Sequence, residues 1–186
     1  MTAILADARA FCKHCHAGQT RWDGSPYHVH PERVADRVRR LLAEAFPHTH
    51  DPAGSGGPSA DEPVLIAALL HDVLEDCRVD YEDIAGRFGG EVADMVATLS
   101  DDKRLPEARR AAEYRAALRS APARVQLIKL ADLLDNAADL AGCPDPARRR
   151  RWAAKALDLL DALPAVSGLP SAAALRAEME AAARAG

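Results

Sequence analysis

The sequence predicts an all-α fold. Alanine and leucine are abundant, aromatic residues make up 4% of the chain, and no stretch alternates apolar and polar residues long enough to form a strand. With 186 residues and 48% apolar content, the chain can bury one core, so a single domain over residues 1–186 is expected.

The elements follow in order from caps and breakers. A first helix is expected over about residues 3–16, followed by a loop holding Gly18, Gly24 and Pro26. A second should start at Pro31 and run to Ala45, with His28 and His30 on an extended segment before it, pointing the same way. The Gly-, Pro- and Ser-rich stretch from Asp51 to Pro63 reads as a flexible surface loop, and Asp61 and Pro63 suit the start of a third helix running through LIAALLHDVLED. Residues 80–88 form a short helix ended by Gly89-Gly90, and residues 91–99 another. Helices are then expected over about 105–118 and 122–140, with two amphipathic helices closing the bundle over about 145–163 and 171–184.

The net charge of −4 disfavours a protein that grips a nucleic-acid polymer and fits a small charged substrate better. No run reaches the roughly 18 consecutive apolar residues of a membrane span, and the start of the chain lacks a basic, then apolar, leader. The expected location is therefore the cytoplasm, where Cys12, Cys15, Cys77 and Cys143 would be free thiols. Cys12-Lys13-His14-Cys15-His16 has the spacing of a haem attachment site or half a zinc site, but no export signal or second Cys/His pair accompanies it. The run Arg148–Arg151 wraps a whole helix rather than one groove, so it reads as a solvated face.

The most informative residues are His71, Asp72, Glu75 and Asp76, set in an apolar run. On a continuous helix His71 and Glu75 share one face, and Asp72 and Asp76 form a stripe about 100° round. Leu69, Leu70, Val73 and Leu74 leave little solvent-facing arc, and burying carboxylates is costly unless a cation lies among them. A metal ion is the simplest cation. Asp132, Asp135, Asn136 and Asp139 make a second polar stripe at i, i+3, i+4 and i+7; taken alone, this reads more readily as a solvated face. Asp132 is its best ligand candidate. With His30, His71 and Asp72 it would form a mixed N and O set without thiolate, which suits Mn²⁺ before Fe²⁺, Zn²⁺ or Mg²⁺.

Four blocks carry a family resemblance: HAGQTRWDGSPYHVHPERVA, LIAALLHDVLED, the FGGEVADMVATLSDDKRLP region and LIKLADLLDNAADL. The chain resembles the HD metal-dependent phosphohydrolases, in particular the hydrolase domains of RelA/SpoT proteins and the small alarmone hydrolases. The family-like core covers about residues 11–141, with C-terminal helices over 145–184. The resemblance implies a compact HD-domain helical bundle with Mn²⁺ held by His30, His71, Asp72 and Asp132, and with Glu75 and Asp76 beside the attacking water. The implied reaction removes pyrophosphate from the 3′ position of (p)ppGpp to leave GDP or GTP. Arg21, Trp22, Lys103 and Asn136 are the implied substrate-binding residues, Trp22 either stacking on a base or packing against the core.

Several positions depart from the family pattern. Trp22 and Asp23 stand where relatives carry a lysine and a small polar residue, Leu133 and Ala138 replace basic residues, and Asp135 replaces a histidine or tyrosine. These changes bear on substrate identity more than on the metal. Two alternatives therefore remain: hydrolysis of another nucleotide (a dNTP, NADPH or a related purine alarmone), and a nucleotide-sensing domain without turnover.

Overall fold

The computed structural model describes residues 2–47, 61–101 and 103–184. Among these residues ten helices appear: α1 (Ala3–Cys15), α2 (Val29–Ala45), α3 (Glu62–Leu70), α4 (Val73–Asp76), α5 (Tyr81–Phe88), α6 (Gly90–Leu99), α7 (Glu107–Ser120), α8 (Ala123–Leu140), α9 (Pro146–Leu160) and α10 (Pro170–Arg184). The all-α expectation holds. The one β pairing among the described residues is an isolated bridge between Thr20 and Pro26. Most of the loop expected over Asp51 to Pro63 lies outside the described residues.

Helix α3 is the axis of the bundle. Every residue from Val64 to Leu70 is buried, because α1, α2, α6 and α8 all pack around it. A helix apolar on all sides has no face to offer water, and this one is surrounded. Helices α9 and α10 pair with each other and lean on α8.

Local chemistry sets several boundaries. Asp80 and Asp83 exchange side-chain-to-backbone hydrogen bonds at 2.9 and 3.1 Å, a capping box that fixes the start of α5 at Tyr81. Gly89, at φ +93°, alone makes the turn out of α5, and Gly90 already begins α6. Asp61 precedes α3 but does not cap it; its carboxylate pairs with Arg124 at the start of α8.

Two expectations about the polar segments need correction. His30 does not lie on an extended strand before a helix, because α2 begins at Val29 and His30 is inside its first turn. Pro31 is tolerated there because the first N–H groups of a helix have no partner to lose. His28 flanks the helix start and does not line the cleft described below. The LIAALLHDVLED helix is also not continuous: it breaks at His71-Asp72, where Asp72 adopts φ −100° and ψ −6°. The His71 ring donates from Nδ1 to the Ala68 carbonyl at 2.8 Å, occupying the acceptor that the Asp72 N–H would use in an unbroken helix.

Gln126, buried on α8, ties three segments together. Its amide donates to the Leu118 and Ala121 carbonyls at 3.0 Å each and accepts from the Ala165 N–H at 2.9 Å. Gln126→Leu should lower unfolding free energy by about 1–3 kcal/mol, since these backbone groups would lose their buried partner. Urea denaturation of the two proteins measures it.

Candidate metal centre

The break between α3 and α4 brings His71 and Asp72 to the mouth of the bundle, opposite His30 on α2 and Asp132 on α8. Ligand-capable atoms of His30, His71 and Asp132 all lie within 4.8 Å of one another, and all three residues are buried. Asp72 Oδ2 approaches both rings, 3.2 Å from His71 Nε2 and 3.7 Å from His30 Nε2. Asp132 Oδ1 lies 3.2 Å from His30 Nε2 and 3.8 Å from His71 Nε2.

Hydrogen bonding decides what these rings present. His71 Nδ1 faces a backbone carbonyl and His30 Nδ1 faces the Asp135 carboxylate at 2.8 Å, so each Nδ1 carries the proton. Each Nε2 then faces carboxylate oxygens and is the atom that a second proton, or in its place a metal ion, would occupy. His71 Nε2 is buried without a hydrogen-bond partner. The three donors of His30, His71 and Asp132 within 4.8 Å of one another, with the Asp72 carboxylate against both rings, suit a divalent cation, so the residues fit the metal that the family implies.

The electrostatics agree. Burial disfavours charge on His71, yet the Asp72 and Asp132 carboxylates outweigh it and pull the imidazole pKa well above its ordinary value. Burial likewise opposes ionisation of Asp132, but the Lys129 ammonium 2.8 Å from Oδ2, with His30 and His71, holds it well below the usual carboxylate range. The site is built to attract positive charge.

Around the centre lies a cleft of about 510 Å³, a size suited to a small molecule. Its floor includes Tyr27, His30, Asp72, Glu75, Asp76, Lys129, Asp132 and Asn136, and its wall comes from α7 and α9 with Arg110, Arg115, Lys155 and Asp158. Glu75 accepts from the Asp101 N–H at 3.3 Å, and Asp76 pairs with Lys103 at 2.7 Å. The Tyr27 hydroxyl donates to Asp72 at 2.7 Å and lies 3.4 Å from Asp76.

The four implied substrate-binding residues divide. Asn136 lines the cleft and donates to Asp132 at 2.6 Å. Arg21 does not line it, being held by Asn136 at 2.8 Å and by Asp139 at 2.8 Å. Lys103 sits beside the cleft, engaged with Glu75 and Asp76. Trp22 is 44% exposed with its ring over Gly142, so it neither fills the core nor lines the cleft.

The second polar stripe is the clearest correction. Asp132 and Asp135 are buried, because α8 turns this stripe toward α2 rather than toward water. There it meets a matching stripe of His30, Arg33 and Arg37, spaced i, i+3 and i+7. Sequence reasoning also missed Tyr27 and Lys129. A lysine among Ile128, Leu130 and Leu127 was the available signal for the second.

The comparisons with known proteins agree with the helical architecture. The family described as the HD domain matches residues 8–166. Over 144 residues the chain is 35% identical to the guanosine-3′,5′-bis(diphosphate) 3′-pyrophosphohydrolase MESH1 of Danio rerio, covering 76% of this chain and 72% of that protein. It is 37% identical over 161 residues to a protein of the same enzyme name from Vibrio cholerae, covering 83% of this chain but 20% of that one. The chain thus spans about a fifth of the length of that bacterial relative. A solved structure described as a metazoan ortholog of SpoT that hydrolyzes ppGpp superposes with a TM-score of 0.73 at 27% identity, over 98% of this chain and 94% of that one. The sequence match and the shared architecture together establish that this chain belongs to the HD domain family.

Proposed function

We propose that the protein is a metal-dependent hydrolase that cleaves (p)ppGpp at the 3′ position, giving GDP or GTP and pyrophosphate. The observation that carries the chemistry is the convergence of His30 Nε2 and His71 Nε2 with the Asp72 and Asp132 carboxylates at the floor of an open cleft. The names of the relatives support the choice of nucleotide. His30, His71, Asp72 and Asp132 would hold the ion, with Mn²⁺ preferred for this nitrogen and oxygen set. When bound, such an ion lowers the pKa of water and offsets phosphate charge.

The chain's own residues supply the rest. Glu75 and Asp76 line the cleft next to the metal ligands and would orient the attacking water, one of them accepting its proton, as the water oxygen bonds to the 3′ phosphorus and the ribose O3′–P bond breaks, with O3′ leaving as the hydroxyl once it takes up a proton. Their backbone is fixed by the Asp72 carbonyl, which accepts from both the Glu75 and Asp76 N–H groups at 3.2 and 2.9 Å. Lys103 holds the Asp76 carboxylate in place. On the wall, Lys155 and the arginines Arg110 and Arg115, which are paired with Asp101 and Asp158, would meet phosphate oxygens, the arginines by exchanging those carboxylates for phosphate.

One observation favours a second reading, hydrolysis of a different nucleotide. Arg21 is already tied to Asp139 and Asn136, which leaves the floor with fewer cations for a tetraphosphorylated ligand than the resemblance implies. Purified protein with Mn²⁺ and a panel of ppGpp, pppGpp, dNTPs and NADPH separates the two. Pyrophosphate release from ppGpp, stopped by chelator and restored by Mn²⁺, is the expected outcome; turnover of another member but not of ppGpp or pppGpp would replace the first reading by the second. No described helix is long and apolar enough to cross a membrane, and a cytoplasmic setting for residues 1–186 as one domain is part of the proposal.

A further inference from the structure

We infer that Asp135 is a positioning residue for the metal ligand His30, and that Arg33 and Arg37 are what allow a carboxylate to serve there. The proposal rests on the metal reading above and extends it to residues behind the ligands.

Asp135 is 0% exposed and sits on the α2-facing stripe of α8. Its Oδ2 accepts the His30 Nδ1 proton at 2.8 Å, on the opposite side of the ring from Asp72 and Asp132. An imidazole has two nitrogens, so fixing the proton on one fixes the lone pair on the other. A carboxylate does this more firmly than a neutral acceptor, because it also makes the ring a better donor to a cation. His71, the other ring, receives only a backbone carbonyl at its Nδ1. The two imidazoles of the centre are therefore supported unequally.

A carboxylate placed there without counter-charge would be costly, since it is buried and lies a short distance behind two further acids. Arg33 supplies the compensation with three bonds to Asp135, from Nε at 2.9 and 3.0 Å and from Nη2 at 2.8 Å, and Arg37 adds a fourth from Nε at 3.1 Å. Both arginines reach solvent at their outer ends, with side chains 37% and 29% exposed, so their own desolvation is partial. The arrangement also explains the helical register. His30, Arg33 and Arg37 lie on one face of α2, and an apolar residue at position 135 would cost Arg37 Nε its acceptor and leave Arg33 only its bond to Asp139.

The test uses the full chain and two readouts that do not depend on turnover. Asp135→Ala should weaken Mn²⁺ binding by about 10- to 100-fold, as removal of such an outer partner does elsewhere. Competition with a fluorescent chelator measures the affinity. Nitrogen-15 spectra of histidine-labelled, metal-free protein, taken at a pH high enough for the ring to be neutral, should show His30 protonated at Nδ1 in the parent and redistributed between its nitrogens in the variant. Asp135→Asn, which keeps the shape and removes the charge, should fall between the two and carries the test if the alanine variant does not fold. Asp139→Ala removes the acceptor of Arg33 and Arg21 without touching His30, and should leave Mn²⁺ affinity at the parent value. Parent-like Mn²⁺ affinity in Asp135→Ala, or an equal loss in Asp139→Ala, would overturn the inference. A parent protein that binds no divalent ion would instead sink the metal reading, and the His30 spectra would still decide the His30–Asp135 bond.

Discussion

Asp72→Ala is expected to abolish Mn²⁺ binding and to reduce turnover by about three orders of magnitude, the equivalent of losing several kcal/mol of transition-state stabilisation. The residue is placed for this effect by the break after α3, which lets Oδ2 approach both histidine rings at once. Its loss should not unfold the chain. Removing Asp72 ends the desolvation of its carboxylate and its repulsion with Asp132, which offsets the lost attraction to His71 and the lost acceptor of the Tyr27 hydroxyl. Circular dichroism and chelator-free thermal unfolding should therefore stay near the parent while calorimetric Mn²⁺ binding disappears. Retained turnover at the parent rate would place the metal elsewhere.

Lys129→Met carries the largest expected effect on stability. Lys129 is partly buried on α8, its Nζ 2.8 Å from Asp132 Oδ2 and 5.4 Å from the centre of the Tyr114 ring. Removing one partner of a buried ion pair strands the other, at a cost of about 3 kcal/mol, the lower end of the usual range because the cleft admits water to this pair. The size should depend on metal. In chelator, Asp132 is left with only the two imidazoles to offset its charge; with Mn²⁺ present it regains a strong cation, and the deficit should narrow. Guanidinium unfolding in chelator and in excess Mn²⁺ gives the comparison, and an equal deficit in both would show that Lys129 acts through packing alone.

What the sequence revealed about the site was whatever depends on near neighbours along the chain. His71, Asp72, Glu75 and Asp76 stand out because acids and a histidine interrupt an apolar run, and that contrast needs no knowledge of the rest of the fold. The break at His71 was not visible, since no glycine or proline marks it; a ring nitrogen competing for a backbone carbonyl produces it. The stripe of Asp132, Asp135, Asn136 and Asp139 was visible, but its direction was not. A polar stripe looks the same whether it faces water or another polar stripe, and only the pairing of α8 with α2 decides between them. His30, Arg33 and Arg37 at matching spacing on α2 were the missing half of that pattern. Helix ends shifted by one to three residues where no side chain caps the start, as at Val29 and Glu107, while the helix start capped by Asp80 and Asp83 was legible.

The buried helix α3 has a consequence for how this protein can change over generations. Its side chains from Val64 to Leu70 touch neighbours on every side, so nearly any replacement there leaves a void or a clash, and His71 and Asp72 inherit that immobility from the helix they terminate. The opposite wall is built differently. Arg115, Lys155 and Asp158 project from outward faces of α7 and α9, where replacements cost little stability. Replacements at the rim of the cleft would thus change what it accepts at little cost to the fold, whereas replacements at its floor would disturb the fold and the proposed metal site together.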